Sequence, residues 1–165
     1  MPAGVLAWTA LANVTLGSTA NTVTFSDISG SYKDLRLVFC GGIGSDNASF
    51  TINNDTSSVY RCNIIESNGT ASSSVWTGAT GSGIFASAYI LWYNTSGILL
   101  TMDILDYSAT DKHKTILTRG NNTARAVNAV VNRWPSTAAV TSIRFNGNGA
   151  NFTAGSTFAL YGLSA

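Results

Sequence analysis

Carboxylates are the side chains of this sequence best suited to acid–base chemistry, and they are few. Asp103 and Asp106 lie three residues apart in a segment with the alternation of a β-strand. Because successive strand side chains point to opposite faces, these two do not form the opposed carboxylate pair that a glycosidase requires. Asp106, Asp111 and His113 surround a predicted turn, where we expect a carboxylate to contact the imidazole.

A serine nucleophile cannot be selected from this sequence. The chain has 20 serines and one histidine, so no Ser-His-Asp set stands out. Ser74 and Ser82 lack the sharp strand-to-helix context of a nucleophile elbow. We therefore predict that the protein is not an enzyme and that it has no cofactor.

Oxygen-rich turns and two cysteines are the candidates for metal binding. The pair 46–47 and the triplet 53–55 contain only Asp and Asn, whose oxygens bind Ca²⁺ but also cap turns without a metal. We expect capping at both. Cys40, Cys62 and His113 are too few for a structural zinc site, and we predict no metal. The cysteines are expected to be buried free thiols in predicted strands, although they could also be neighbours across a sheet.

Four tryptophans offer flat surfaces on which a sugar ring could stack: Trp8, Trp76, Trp92 and Trp134. Trp92 lies in an apolar segment and is expected in the core. Trp76 stands alone in a polar segment, so we predict that it is exposed and is the candidate contact for a partner. An exposed tryptophan packs on a neighbouring subunit as readily as on a sugar, and both alternatives stay open.

The elements that position these side chains are predicted to be strands. The chain has one Glu, three Lys and no Gln, so helix-forming side chains are scarce, whereas Thr, Val, Ile and aromatic residues are common. Alternating apolar segments recur every ~8–12 residues, which is typical of all-β proteins. We predict one β-sandwich domain over residues 1–165, an antiparallel two-sheet sandwich of jelly-roll type.

Several segments carry more specific expectations. Residues 5–10 and 13–16 are predicted to form two short opening strands. Residues 84–93 and 98–107 are apolar on both faces and are predicted to pair as a hairpin; such strands lie centrally or face a partner. Residues 67–82 are predicted to be a long exposed loop or a loosely held edge strand.

The composition limits the classes of partner. Only 10% of residues are charged, against about 25% in typical proteins, and the formal net charge is +1. Nucleic-acid binding is not predicted without a basic excess, and no apolar run reaches the ~18 residues of a membrane span. Ser, Thr, Asn and Gly make up 71 of 165 residues. This suits a neutral soluble domain, and we favour a subunit whose faces are occupied in an assembly.

Five segments of the chain together resemble a family of small all-β virion proteins of tailed bacteriophages. They follow the same order as in that family and span most of the chain: Tyr32-Lys33-Asp34-Leu35, Asn53-Asn54-Asp55-Thr56 with Tyr60, Ile104-Leu105-Asp106-Tyr107, Val140-Thr-Ser-Ile-Arg-Phe145 and Phe158-Ala-Leu-Tyr-Gly162. The resemblance implies a β-sandwich component of the virion and carries over no catalytic motif.

The function implied by this resemblance is structural. We expect a capsid decoration (cement) protein, a homotrimer that contacts the major capsid protein and bridges neighbouring capsid subunits. The alternative is a tail-fibre or tailspike module that binds a cell-surface glycan, but the chain has neither repeats nor heptads of a fibre shaft. Residues 1–11 lack the charged start of a secretory signal, so assembly in the host cytoplasm and residence in the virion are expected.

Overall fold

The computed structural model describes residues 6–44, 48–57, 60–67, 72–77, 84–85, 97–123 and 127–164. All regular elements in these ranges are strands, which confirms the predicted all-β class. None of the described residues belongs to a helix long and apolar enough to cross a membrane.

Twelve strands are described, and their bounds follow in chain order. They are β1 (Trp8–Thr15), β2 (Thr22–Phe25), β3 (Asp34–Gly41), β4 (Ser49–Ile52), β5 (Arg61–Ser67), β6 (Ser72–Thr77), β7 (Ile84–Phe85), β8 (Ile98–Leu105), β9 (Lys114–Asn122), β10 (Val127–Trp134), β11 (Ile143–Asn146) and β12 (Thr157–Leu163).

The strands form two antiparallel sheets that pack face to face. The larger has eight strands in the order β1-β12-β3-β8-β9-β10-β5-β6, and the smaller has four in the order β2-β11-β4-β7. Most neighbours in each sheet are distant in sequence, so the chain crosses repeatedly between the sheets. The predicted antiparallel sandwich of jelly-roll type is confirmed.

One hydrophobic core fills most of the space between the sheets. Its centre is a group of aromatic rings. The centroid of Phe158 lies 4.8 Å from that of Phe39, 5.0 Å from that of Phe152 and 5.4 Å from that of Phe145. These rings come from both sheets and from the turn before β12, so their contacts hold the two layers together.

Strand β12 lies inside the larger sheet, between β1 and β3. Phe158 and Leu160 are buried and alternate with half-buried Ala159 and Tyr161. Gly162 leaves room for Tyr32, because a Cβ at this position would lie 2.4 Å from Cγ of the Tyr32 ring. The segment Phe158-Ala-Leu-Tyr-Gly162 therefore contributes both core side chains and a gap that another side chain fills.

The start of the chain differs from the expectation of two short strands. A single strand, β1, pairs with β12 along its whole length, and the register shifts between Ala10 and Ala12. A bulge of this kind inserts an extra residue and interrupts the alternation. The interruption made one strand look like two in the sequence.

The predicted hairpin of residues 84–93 with 98–107 is wrong. Strand β8 pairs with β3 on one edge and with β9 on the other, so it has no free edge for the preceding segment. Strand β7 instead pairs with β4 in the smaller sheet; residues 86–96 lie outside the described ranges. Within residues 67–82, β6 is an edge strand paired with β5, the second of the two predicted alternatives.

Candidate functional site on the outer face of the larger sheet

The outer face of the eight-stranded sheet is the surface that points away from the core. Strand alternation decides which side chains it carries. In β8 the residues Ile98, Leu100, Met102 and Ile104 are buried, and the residues between them point outward. In β10 the same alternation exposes every second residue from Val127 to Arg133.

This face carries a group of aliphatic side chains that we call the apolar patch: Ile65, Leu99, Val127 and Val131. Their exposed fractions are 65%, 47%, 59% and 49%, respectively. Among the described residues, seven large hydrophobic side chains are exposed, and all except Leu6 lie on this face. Scattered exposed hydrophobics are ordinary, but their concentration on one face marks a contact surface.

Cross-strand register brings the patch residues together from strands that are far apart in sequence. Val127 lies opposite Asn121 of β9, and Asn121 lies opposite Leu99 of β8. Ala129 lies opposite Ile65 of β5. The patch therefore extends over four neighbouring strands, β8, β9, β10 and β5.

A depression of about 720 Å³ opens on the patch. Its walls include Ile65, Leu99, Val127 and Ala129, with Arg119 at one side. None of the described residues that line it is aromatic. Aliphatic side chains of another protein can pack against such a lining.

A charged cluster lies beside the patch. Arg36 Nε is 2.6 Å from Asp103 Oδ1 and Arg36 Nη2 is 3.0 Å from Asp103 Oδ2, a bidentate pair between β3 and β8. Arg119 Nη2 lies 3.5 Å from Asp103 Oδ2. The Arg36 guanidinium also stacks over Trp8, 4.5 Å from its ring centroid. The hydrogen bonds to Asp103 raise the pKa of Arg36 despite the opposing effect of burial.

The four tryptophans lie in different parts of the fold. Trp76 lies on edge strand β6 opposite Asn63; its side chain is outside what the structure describes, so its predicted exposure stays a prediction. Trp92 also lies outside the described ranges. Trp8 is partly exposed on the outer face, whereas Trp134 is buried. Trp8 and Trp134 do not share one aromatic platform, because Trp134 points into the sandwich and Trp8 to its outside.

The turn at residues 53–55 uses its oxygens for capping, as expected. Asn53 Oδ1 accepts hydrogen bonds from the backbone amides of Thr141 and Ser142 at 2.8 and 3.0 Å. Asn53 and Asn54 have φ values of 51° and 56°, a conformation that Asn tolerates well. This turn therefore joins β4 to the segment before β11. Residues 46–47 are outside the described ranges.

Asp55 is also satisfied by protein donors. Its carboxylate accepts hydrogen bonds from Ser57 and, at 2.7 Å, from Trp134 Nε1. Burial alone would raise the pKa of Asp55, but these hydrogen bonds outweigh it and hold the pKa below its usual value. Because protein donors bind the carboxylate oxygens of Asp55, the turn acts as a structural cap.

Among the described residues, the other candidate metal-binding and acid–base groups do not come together in one site. Asp106 has a φ of 46° in the turn after β8 and pairs with Lys112 at 3.1 Å. The expected contact of a turn carboxylate with His113 is not present among the described residues. In the same part of the chain, no group of three potential His, Cys, Asp or Glu ligands is close enough to hold a metal.

Neither cysteine forms a disulfide, as predicted, but only Cys62 is buried. Cys40 is exposed on the outer face, which corrects the prediction of two buried thiols. They are not neighbours, since β8, β9 and β10 separate β3 from β5. Four strand spacings of about 4.8 Å put them roughly 19 Å apart, too far for a disulfide.

A buried lysine was missed at the sequence level. Lys114 is fully buried, and its Nζ donates to the carbonyl oxygens of Ala109, Lys112 and Thr137 at 2.6, 3.0 and 3.5 Å. Burial lowers the pKa of Lys114, and Lys112 adds to this effect, while Asp111 and Asp106 oppose it. A lysine at the start of a strand carries no sequence signal for burial, because part of its cover comes from Thr137, 23 residues further along the chain.

Comparison with known proteins adds little to this description. No protein-family model matches the sequence, and no curated protein sequence is similar to it. Among solved structures, the galectin LEC-6 of Caenorhabditis elegans is similar over 93% of this chain and 96% of that chain, with 12% identity and a TM-score of 0.38.

Proposed function

We propose that this chain is a virion structural protein of a tailed bacteriophage, a capsid decoration (cement) protein. In this proposal it docks through the outer face of the eight-stranded sheet onto subunits of the major capsid protein. The apolar patch is the observation that carries the proposal. The ordered segments that resemble phage virion proteins supply its biological setting.

The outer face has the dimensions of a stable protein interface. Seven strand spacings of about 4.8 Å and strands of about seven residues give an area on the order of 800 Å². A standard interface buries roughly 800 Å² on each partner. Exposed aliphatic side chains concentrated on such an area are a feature of protein contact surfaces.

A trimer fits this use of the outer face. Contacts around a three-fold axis are heterologous, so they join two different surfaces of the subunit. A trimer can therefore leave the outer face of every copy available for the shell. The low charge of the chain, 10% of residues, reduces the desolvation cost of both kinds of contact.

The proposed mechanism requires no bond-making chemistry. Each bound copy adds buried area across a seam between shell subunits, and binding to the assembled shell stabilises it by mass action. Particles without the protein should lose their genome at a lower temperature or after osmotic shock, and should still adsorb to cells. Normal heat resistance with lost adsorption would instead establish the receptor-binding alternative.

Cys40 offers a direct test of the docking face. It is exposed and lies opposite Leu99 of the apolar patch. A maleimide reagent should modify Cys40 in the free protein, and at least several-fold more slowly in protein bound to intact particles. Cys62 is buried and serves as the internal control in both samples. Equal modification rates of Cys40 in both samples would contradict docking through this face.

A matched pair of variants separates docking from folding. Val127→Asp places a charge in the apolar patch and should abolish binding to particles that lack the protein. Thr24→Asp places the same charge at an exposed position of the smaller sheet and should leave binding unchanged. Circular dichroism establishes that both variants are folded; equal binding by the two would overturn the proposed face.

A further inference from the structure

Two arginines lie directly opposite each other on the outer face. Arg61 of β5 and Arg133 of β10 are register partners in an antiparallel pair. Both side chains are exposed. Like charges directly opposite on neighbouring strands are destabilising, because their β-carbons are only about 5 Å apart. This pair therefore lowers the stability of the free protein.

Two other arginines of this face share a carboxylate, which sets the pair of Arg61 and Arg133 apart. Arg36 and Arg119 both contact Asp103. Arg61 Nη1 donates to the carbonyl oxygen of Tyr60 at 3.3 Å. Among the described residues, neither Arg61 nor Arg133 has a carboxylate partner. Two guanidinium groups with five N–H donors each therefore start from facing strand positions, and among the described residues the carbonyl oxygen of Tyr60 is the one protein acceptor for them.

A small depression lies between the two arginines. It has a volume of about 170 Å³, and its walls include Arg61, Asn63, Val131 and Arg133. Pockets for whole small molecules usually exceed roughly 300 Å³. This one suits a single functional group. Two guanidinium forks select a planar or tetrahedral oxyanion and bind it through paired hydrogen bonds.

The apolar patch beside the depression indicates which kind of molecule carries that oxyanion. Val131 belongs both to the patch and to the wall of the depression, so an occupant of one is in contact with the other. An occupant must therefore present aliphatic groups to the patch and one anionic group to the depression, and the surface of a protein offers both. A nucleic acid would require a continuous basic surface, whereas the chain has a net charge of only +1.

We propose that Arg61 and Arg133 form a cationic fork that binds an Asp or Glu side chain of the protein that docks on the apolar patch. The inference rests on the docking face of the proposed function and adds the chemistry of the partner. The carboxylate neutralises the repulsion between the two guanidinium groups, so the stability lost in the free protein is recovered on docking. The fork also fixes the orientation of the partner on the sheet.

The test uses glutarate, a small dicarboxylate, as the probe on the free protein. Titration at constant ionic strength should shift the Nε–Hε NMR signals of Arg61 and Arg133 along a saturable, millimolar curve. Arg133→Gln should weaken binding about tenfold, since it removes one fork. Arg133→Lys keeps the charge but loses the fork, and should bind with intermediate affinity. Arg144→Gln, at an exposed position of the smaller sheet, is the control and should change the affinity less than twofold.

Two outcomes overturn the proposal. A linear response equal to that of sodium chloride would show only general screening. Tighter saturable binding of a single-stranded oligonucleotide or inorganic phosphate than of glutarate would assign the fork to phosphate groups. The titration needs no virus particles, so it can succeed where the particle experiments fail, and a failure of either one is distinguishable from a failure of the other.

Discussion

Arg36 and Asp103 form a bidentate ion pair across β3 and β8, with contacts of 2.6 and 3.0 Å, and Trp8 covers the guanidinium from β1. The side chains retain exposed fractions of 32% and 13%. Replacing Asp103 with Asn removes the charge that both Arg36 and Arg119 contact. We expect Asp103→Asn to lower the free energy of unfolding by about 1 kcal/mol in urea titrations at low salt.

The pair of Lys112 with Asp106 is the control, because both of its side chains are about half exposed. Lys112→Met should leave the free energy of unfolding nearly unchanged, because solvent screens an exposed pair. A loss in Asp103→Asn no larger than that in Lys112→Met would show that the bidentate geometry adds nothing to stability.

Gly162 tests the close approach of Tyr32 to β12. A Cβ at this position would lie 2.4 Å from the Tyr32 ring, so the ring or the strand must move. We expect Gly162→Ala to destabilise the protein by about 1–3 kcal/mol through overpacking. Gly17→Ala is the matched control, since a Cβ at Gly17 would have nothing within 4 Å; an equal loss in both variants would argue against this packing account.

Lys114 tests whether a buried ammonium group stabilises the loops around it. Its three carbonyl acceptors come from residues 109, 112 and 137. Lys114→Met leaves these acceptors without that donor, and we expect a loss of about 2–3 kcal/mol in urea unfolding. Lys33→Met, at an exposed site, should be nearly neutral. Unchanged stability in Lys114→Met would mean that water replaces the ammonium without cost.

We expect the protein to lose stability at alkaline pH because of Tyr60. Burial raises the pKa of Tyr60 from 10.0 to about 12, and the nearby Asp55 charge adds to the shift, while the hydrogen bond from the amide of Ile52 opposes it. Above pH 10 the unfolded chain loses this proton before the folded protein does. The contribution of Tyr60 is therefore complete below pH 10 and is lost as the pH rises towards 12.

The Tyr60→Phe variant isolates that contribution. Unfolding free energies measured from pH 8 to pH 12 should fall less steeply for this variant than for the parent protein. The variant should also be less stable at pH 8, because it loses the hydrogen bond from the Tyr60 hydroxyl to the carbonyl of Asp55. Parallel pH profiles for the two proteins would contradict the raised pKa.

Removal of one of the two facing arginines, Arg61 and Arg133, should stabilise the protein. Arg133→Thr removes the repulsion from Arg61, and threonine suits an exposed strand position. We expect a gain of about 0.2–1 kcal/mol in the free energy of unfolding at low salt, decreasing as salt is added. Arg144→Thr, on the smaller sheet, supplies the comparison without a facing arginine, because its partners are Thr24 and Thr51. A salt-independent gain would point to strand propensity alone.

Local patterns determined much of the fold. Alternation in residues 35–40, 126–134 and 157–163 indicates strands, and the burial of every second residue in β3, β10 and β12 bears this out. The pleat forces successive side chains to opposite faces, so this property can be read from short segments. The capping role of Asn53 was predictable for the same reason, because turn chemistry depends on neighbouring residues.

Only the tertiary structure decided which strands are neighbours. Alternation in β8 places Leu99 on the polar side with Asp103, but nothing in its sequence shows that Leu99 lies beside Val127 and Ile65 of distant strands. The meeting of Arg61 with Arg133 and the separation of Cys40 from Cys62 depend on strand order. Strand order arises from long-range packing between segments far apart in the chain, and alternation within one segment carries no information about it.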